Sequence, residues 1–180
     1  MMPIGDLMVE HRLIERVVGL LEKECARIDA AGRVDTVFLD SAVDFFVFYA
    51  DRCHHGKEEE ILFAELLAHG ISDAHKAMIE ELREDHAAGR QLVARLDADV
   101  RLSCSRCDER VLKTINADIE ALVKLYQGHI EKEDKRFFIP AMQYLSQQEQ
   151  DGMLRRFWEF DRLLIHEKYR KITEGFEKTF

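Results

Sequence analysis

Residues 54–63 read His54-His55-Gly56-Lys57-Glu58-Glu59-Glu60-Ile61-Leu62-Phe63, and this stretch places a histidine and a glutamate four positions apart. On an α-helix, residues four apart lie on the same face, one turn from each other. The imidazole of His54 and the carboxylate of Glu58 then point into the same space. Because one helix commonly supplies part of a metal site in this way, the stretch predicts a helix with ligand-type residues on its inner face.

The stretch recurs further along the chain as His129-Ile130-Glu131-Lys132-Glu133-Asp134-Lys135-Arg136-Phe137-Phe138. An offset of 75 residues relates His54 to His129 and Glu58 to Glu133, and it also relates Lys57 to Lys132 and Phe63 to Phe138. The same offset relates His11 to His86. The pattern His…His-x-x-x-Glu therefore occurs twice, and the two histidines are 43 positions apart in each copy.

The repeat also decides between two registers. His55 and Glu59 have the same spacing of four, but only His54 and Glu58 keep the 75-residue offset to His129 and Glu133. We therefore predict that His54 and Glu58 point inward, and that His55 is a flanking polar residue. The remaining histidines of this region, His69 and His75, fall outside the pattern and are expected at the surface or at helix ends.

Five segments have the pattern of amphipathic helices. In the first four, apolar residues recur at steps of three and four, which is typical of helices that face a bundle core. Histidines occupy core positions in these apolar seams. The segments predict an all-α, up-down-up-down four-helix bundle over residues 6–145, with an additional C-terminal helix over 147–180, in a single domain of residues 1–180. The four bundle helices are expected at residues 6–30, 35–68, 73–100 and 109–145, with Asp6 as a cap of the first and Pro140 kinking or ending the last.

Composition excludes several classes of function. A length of 180 residues suits one domain, and 47% hydrophobic with 34% charged residues and only two prolines fits a soluble helical protein. With a formal net charge of −9 and no basic stripe, no nucleic-acid partner is expected. No apolar run reaches the roughly 18 residues of a membrane span, and the N-terminus lacks a signal-peptide layout, so we expect a cytoplasmic protein with no membrane partner.

The cysteines are expected to be reduced thiols in a cytosolic chain. Cys104 and Cys107 form a lone Cys-x-x-Cys without the second pair of a zinc site or the context of a thioredoxin. They are interpreted as free thiols at a loop or helix start, with a redox-active or regulatory pair as the alternative. Cys53 adjoins His54 but points about 100° away on a helix, so it is not predicted to be a ligand.

Burial gives the repeated pattern its chemical meaning. A carboxylate in an apolar seam is costly unless it is neutralised, paired or bound to a metal. Four histidines and two glutamates are too many for one tetrahedral zinc, and they suit two ions, with each glutamate bridging both and two histidines on each. Iron leads, with an oxo or hydroxo bridge, and manganese and zinc are the alternatives. The predicted metal ligands are His11, His54, Glu58, His86, His129 and Glu133.

These residues resemble the signature of the hemerythrin-like, HHE cation-binding domains. The resemblance covers about residues 6–145 and comprises a histidine, then His-x-x-x-Glu with Leu-Phe following, and then both again; Leu62-Phe63 and Phe137-Phe138 are the flanks here. The resemblance implies a non-haem di-iron centre in a four-helix bundle.

One departure from the family has consequences. Oxygen-carrying hemerythrins use five histidines and an aspartate in His-x-x-x-x-Asp, whereas this chain has four histidines in the pattern and Glu133 four residues after His129. Asp134 stands at the fifth position, where it would displace Glu133 as a ligand. The chain therefore resembles the four-His, two-Glu branch, whose members are linked to iron sensing, nitric oxide or peroxide chemistry and iron-centre repair.

The resemblance implies a protein that binds or reduces O₂, NO or peroxide at a carboxylate-bridged centre, and it leaves open whether the protein is an enzyme. The alternatives are an iron- or oxygen-responsive sensor or an iron-storage or repair protein without turnover, and a structural or partner-binding helical bundle.

Two accessory features stay open as well. His166 and Tyr169 are either a surface pair or a contribution to the site from the fifth helix. Tyr126, one turn before His129, either packs in the core or donates a hydrogen bond near the centre.

Overall fold

The computed structural model describes the backbone of residues 2–105 and 108–177, and the side chains of residues 2–104 and 108–164. Five helices run through these described residues. They are α1 (Pro3–Ala31), α2 (α-helical Thr36–Phe45 and Phe63–Ala68 with π-helical Phe46–His55 and Glu58–Leu62 between), α3 (Asp73–Ser105), α4 (Glu109–Lys132, π-helical Glu133–Phe137, Phe138–Ala141 and a 3₁₀ turn Met142–Tyr144) and α5 (Gln147–Glu177). Across the described residues, none of them is long and apolar enough to span a membrane.

Local chemistry sets where the helices begin and end. The Asp35 side chain accepts a hydrogen bond from the Phe38 amide and caps α2, and Asp108 caps α4 in the same way through the Val111 amide. Gly32, at φ 61°, ends α1 in the left-handed conformation that favours glycine. These contacts explain why the predicted helices lie close to the observed ones.

Two helix ends differ from the prediction, the start of α1 and the end of α3. Helix α1 begins at Pro3, so the prediction that Asp6 caps it was wrong; proline is preorganised for the first turn of a helix, and Asp6 lies within that turn. Helix α3 continues to Ser105, beyond the predicted residue 100. The prediction for Pro140 is confirmed, because the regular part of α4 ends at Ala141 and tightens into a 3₁₀ turn.

Helices α2 and α4 widen into π-helical turns at matching places. Glu58–Leu62 in α2 and Glu133–Phe137 in α4 are related by the 75-residue offset, and each begins at the glutamate of a His-x-x-x-Glu pair. Helix α2 has a further π-helical stretch, Phe46–His55, which includes its two adjacent histidines. π-helical turns occur frequently at functional sites. The histidines and glutamates in these turns are therefore candidate functional residues.

The four helices α1 to α4 form the bundle. Helix α1 packs on α2 and α4, helix α3 packs on the same two helices, and α5 lies against α1 and α2. The all-α bundle with an additional C-terminal helix is thus confirmed. Two apolar clusters fill it, and between them each bundle helix contributes at least one buried histidine, with a buried glutamate as well on the second and fourth helices. One cluster contains Leu7, Leu62, Leu82 and Phe137, and the other contains Ile14, Phe46, Val93 and Tyr126.

Helix α5 approaches α2 closely at Gly56. A Cβ at this position would lie 2.8 Å from a ring carbon of Phe160, so any larger residue would force that ring to shift. The glycine thus permits α5 to pack directly beside the two histidines of α2.

Candidate metal centre

The polar layer between the two apolar clusters contains all six residues that the sequence predicts as ligands. Each of them is at most 3% exposed. The helices supply them in order: α1 provides one histidine, α2 a histidine and a glutamate, α3 one histidine, and α4 a histidine and a glutamate. They are His11, His54, Glu58, His86, His129 and Glu133.

The first group of potential ligands comprises His11, His54, Glu58 and Glu133, whose donor atoms all lie within 4.8 Å of one another. Nε2 of His11 is 3.2 Å from Glu133 Oε2, and Nε2 of His54 is 3.4 Å from Glu58 Oε1. The two Nε2 atoms are 2.9 Å apart. Four donor atoms at these separations surround a space in which a single ion can be bound.

A second group lies beside the first and comprises His55, Glu58, His86 and His129, again with donor atoms within 4.8 Å of one another. Glu58 belongs to both groups, because its second oxygen is 3.4 Å from Nε2 of His86. Glu133 also reaches both sides, since Oε2 lies 3.2 Å from His129 Nε2 as well as from His11. Each glutamate therefore stands between the two groups, as a bridging carboxylate would.

The position of His55 differs from the prediction. His55 was expected to be a flanking polar residue, and this was wrong: it is 3% exposed and its ring stacks on His86 with 3.8 Å between centroids. The prediction assumed a regular α-helix, in which adjacent residues point about 100° apart. The wider π-helical turn at Phe46–His55 lets His54 and His55 both face the centre.

Every imidazole in the layer is held by a carboxylate on its outer side. The Nδ1 atom faces the carboxylate in each case, so that Nε2 is left directed at the centre. This arrangement fixes the tautomer and the ring orientation, as it does for histidines that bind metals. The pairs are His11 with Asp134 (2.7 Å), His54 with Glu10 (2.8 Å), His55 with Asp51 (3.3 Å), His86 with Glu59 (2.7 Å) and His129 with Asp85 (3.3 Å).

The outer carboxylates follow the sequence repeat, although the sequence analysis did not identify them. Glu10 and Asp85 are 75 residues apart, and so are Glu59 and Asp134. The offset that selects the inner histidines would have selected these acids as well. Asp134 lies outside both groups, so Glu133 and not Asp134 is the inner carboxylate of α4.

Unpaired polar atoms show whether the layer suits metal ions. Both oxygens of Glu58 and of Glu133 are buried and have no hydrogen-bond partner among the described residues; the same is true of Nε2 in His55, His86 and His129. Burying such groups without a partner is costly. Imidazole nitrogens and carboxylate oxygens are ligands for iron, manganese and zinc, so the residues present fit a pair of such ions.

Protonation in the metal-free chain is uneven. Burial disfavours the charged form of His11, but its contacts with Asp134 and Glu133 outweigh burial and raise its pKa to about 9. Burial likewise opposes charge on His129, yet Glu133 and Asp85 raise its pKa to about 10. For His54 burial prevails and lowers the pKa to about 3.

A third cluster of ligand-type residues, Glu10, Cys53 and Asp161, lies at the edge of the site. The buried Lys57 ammonium binds Glu10 and is 2.9 Å from Asp161 Oδ2, so this cluster is an ion-pair network around a lysine. Cys53 donates from Sγ to Asp161 Oδ1 at 3.1 Å, and burial raises the pKa of its thiol to about 12. Cys53 belongs to neither of the two groups at the centre, which agrees with the prediction that it is not a ligand there.

The other residues that the sequence singles out lie apart from the centre. His69 binds Glu149, and His75 binds the Tyr144 hydroxyl, as expected for histidines outside the pattern. Tyr126 is buried in the core, with its ring centroid 4.9 Å from that of Phe46 and 6.2 Å from that of His55. Residue Cys107 and the side chains of His166 and Tyr169 lie outside the described residues, so the predictions for the Cys104–Cys107 pair and for the fifth-helix pair stay predictions.

Comparison with known proteins gives one match. The family model described as the hemerythrin HHE cation binding domain matches residues 2–139, which is most of the bundle. Neither the curated proteins nor the solved structures gave a significant match. The matched range includes every histidine and carboxylate of the two groups.

Proposed function

The chain belongs to the hemerythrin HHE cation-binding family, and from this premise we propose that it is a non-haem di-iron protein that binds or reduces O₂, NO or peroxide. The observation that carries the proposal is the pair of adjacent buried groups that share Glu58 and are joined by Glu133. Two groups with common carboxylates suit two neighbouring ions better than one ion or a set of hydrogen bonds.

Each side of the centre would have its own histidines. His11 and His54 would hold one ion, and His86 and His129 the other, with Glu58 and Glu133 between them. His55 would add a third imidazole on the side of His86 and His129. Iron bound in these groups would supply electrons and an open coordination position for the small ligand. Manganese and zinc are the alternatives for the same donor set.

Residues around the two groups hold the ligand side chains in their orientations. The outer carboxylates orient the imidazoles, and two arginines hold those carboxylates in turn: Arg12 binds Asp134, and Arg90 donates to Glu59 at 2.7 Å. The two apolar clusters keep bulk water from both ends of the layer. Buried donors that are already oriented strengthen electrostatic interactions with a ligand bound among them.

A second candidate function is a sensor or iron-storage protein without turnover. The observation that favours it is the connection from the site to α5. Glu10 accepts from His54 and from Lys57, and Lys57 also binds Asp161 on α5. Because Glu10 is shared, an ion bound at Nε2 of His54 would strengthen the hydrogen bond from Nδ1 to Glu10 and so alter the contact that holds α5 to the bundle.

The experiment loads the purified chain with ferrous iron under anaerobic conditions and mixes it with O₂, NO or hydrogen peroxide, while the optical spectrum is followed. The proposal expects two irons per chain and a spectral change with at least one of these ligands. Repeated turnover of peroxide or NO indicates an enzyme. Iron binding with a single spectral change, together with iron-dependent protein capture, indicates the sensor. An iron-loaded protein that responds to none of the three ligands contradicts the proposal.

A further inference from the structure

A cleft of about 270 Å³ lies between α2 and α3, next to the side of the site that contains His55. Its walls are mostly apolar, and its remaining lining consists of polar residues at the two ends. The apolar wall residues are Val43, Phe46, Val47, Val93 and Ala94.

Exposure shows which end of the cleft is open. Val47 and the Arg90 side chain are 46% and 43% exposed, so they stand at the mouth. Phe46, Tyr126 and His55 are at most 3% exposed and form the floor. The cleft therefore leads from the surface to the imidazole of His55, which is one of the potential metal ligands.

Gly89 on α3 lines this cleft and also a gap of about 10 Å³ that borders His86 and His129. A Cβ on Gly89 would meet only Leu125 Cδ2, at an ordinary contact distance of 3.4 Å. Helix packing therefore does not require glycine here, although glycine is unfavourable within a helix. What the missing side chain provides is space between the cleft and the site.

Size and charge restrict what the cleft can bind. A cavity of about 150 Å³ binds benzene, so this cleft has room for far more than a diatomic molecule. Asp51 and Asp97 stand at the rim, and the guanidinium of Arg90 is already bound to Asp51 and Glu59. A negatively charged ligand would meet carboxylates without a free cation among these rim residues, so a neutral ligand is favoured.

We propose that the cleft binds a neutral alcohol or hydroperoxide with an apolar body, with its polar head at the floor beside His55 and Tyr126. This proposal rests on the proposed function, and within it favours organic peroxides as the ligand class. The apolar body lies against the valines and Phe46, where its burial contributes to affinity. The head reaches the only polar groups that line the floor within the described part of the cleft, His55 and Tyr126.

The test is a titration of the full-length chain with cyclohexanol, followed by NMR of the methyl groups, with the protein as purified and after zinc loading. Saturable shifts are expected at Val43, Val93 and Ala94, which line the cleft. Cyclohexanecarboxylate, which has the same body and a negative charge, is expected to bind about tenfold more weakly or worse.

Two pairs of variants sharpen the result. Ala94→Phe fills the mouth and is expected to weaken cyclohexanol binding about tenfold, whereas Ala98→Phe on the same helix, exposed and outside the cleft, leaves it unchanged. Gly89→Ala is expected to weaken binding and to raise the melting temperature. Gly19→Ala, whose Cβ would meet nothing within 4 Å, is expected to raise the melting temperature alone.

The outcomes distinguish a failure of the cleft proposal from a failure of the proposed function. Absence of saturable shifts in a chain that takes up metal overturns the cleft proposal and leaves the metal centre standing. Saturable binding in a chain that takes up no metal supports the cleft as a binding site and removes the proposed function. Shifts that Ala94→Phe and Ala98→Phe reduce equally also overturn the cleft.

Discussion

The half of the bundle made of α1 and α2 and the half made of α3 and α4 carry the same pattern, and their differences identify what is specific to each side. His11 and His54 of the first half correspond to His86 and His129 of the second. The outer acids correspond as well, and each half provides one acid for its own histidine and one for a histidine of the other half. The halves are thus locked together by reciprocal contacts.

Two differences between the halves affect the centre and its surroundings. His55 corresponds to the buried Ile130, so one side of the centre has three imidazoles nearby and the other has two. Lys57 corresponds to Lys132, but α5 covers only Lys57, and Lys132 lies close to the surface. The shared positions supply the residues of the proposed two-ion site, while the differing positions make its two sides chemically unequal.

The largest expected effect comes from the shared carboxylates. Glu58→Ala and Glu133→Ala should each weaken iron binding on both sides by at least about a hundredfold, because a carboxylate between two ions serves both, whereas each histidine serves one. Iron content per chain after anaerobic loading and desalting measures the effect. Glu60→Ala, an exposed neighbour, is the control and should retain full iron content.

Loss of one ion with the other retained at full affinity, in either glutamate variant, would show that the carboxylates do not bridge. The two groups of ligands would then bind their ions independently of each other.

His55→Ile sharpens the comparison by giving the first half the residue that the second half has. If His55 is a ligand, the variant should lose affinity at the His86 side by about tenfold or more, while the His11 side keeps its ion. Iron titration followed by the optical spectrum resolves the two binding steps. His75→Ala, which changes a histidine bound to Tyr144, serves as the control. If the iron titration of His55→Ile is unchanged, His55 is not a ligand, and the four-histidine site that the sequence predicted is supported.

The two lysines should differ in their contribution to stability. Lys57 is fully buried between Glu10 and Asp161, so Lys57→Met leaves two carboxylates without their cation and should cost about 3 kcal/mol. Lys132→Met breaks more exposed ion pairs with Glu81 and Asp85 and should cost at most about 1 kcal/mol. Urea denaturation of the metal-free chains gives both values. Equal losses of unfolding free energy in the two variants would show that the contact between Lys57 and Asp161 on α5 adds nothing to the stability of the bundle.

The last expected effect is the dependence on pH. In the metal-free chain the pKa of His11 is raised to about 9 and that of His129 to about 10, from an ordinary 6.5, mainly through nearby carboxylates that outweigh burial. Both imidazoles are protonated at pH 7, so metal binding must displace these protons and affinity should rise between pH 7 and 9. The same contacts stabilise the metal-free fold below pH 6.5, and this contribution is lost as the pH rises through about 9 and 10.

Calorimetric titration of metal in buffers of different ionisation enthalpy counts the protons released. Release of none at pH 7 would contradict the assignment of raised pKa values to His11 and His129.

The fold and the inner position of the six candidate ligands could be predicted because they follow regular helical spacing and the 75-residue repeat. A histidine in an apolar seam is conspicuous in a sequence, and so is a repeated His-x-x-x-Glu. The placement of His11, His54, Glu58, His86, His129 and Glu133 in one layer needed no further information.

The features that escaped prediction depend on departures from that regularity. His55 turns inward because α2 widens into a π-helical turn, and no residue pattern on an ideal α-helix indicates such a turn. The contact of Asp161 with Lys57 depends on how α5 packs, and α5 has no counterpart in the repeat. The cleft beside His55 likewise depends on the spacing of two helices, which Gly89 alone does not reveal.

The measurement that tests the central claim most directly is iron stoichiometry together with thermal stability. In the metal-free chain, Nε2 of His55 and both oxygens of Glu58 are buried without a hydrogen-bond partner among the described residues, and such a group costs about 1–3 kcal/mol. Metal that binds only the folded state adds stability by mass action. Anaerobic loading should therefore give two irons per chain and a melting temperature well above that of the metal-free form. Iron content near zero in a chain with an intact helical fold, or equal melting temperatures with and without iron, would contradict a di-iron centre in this layer.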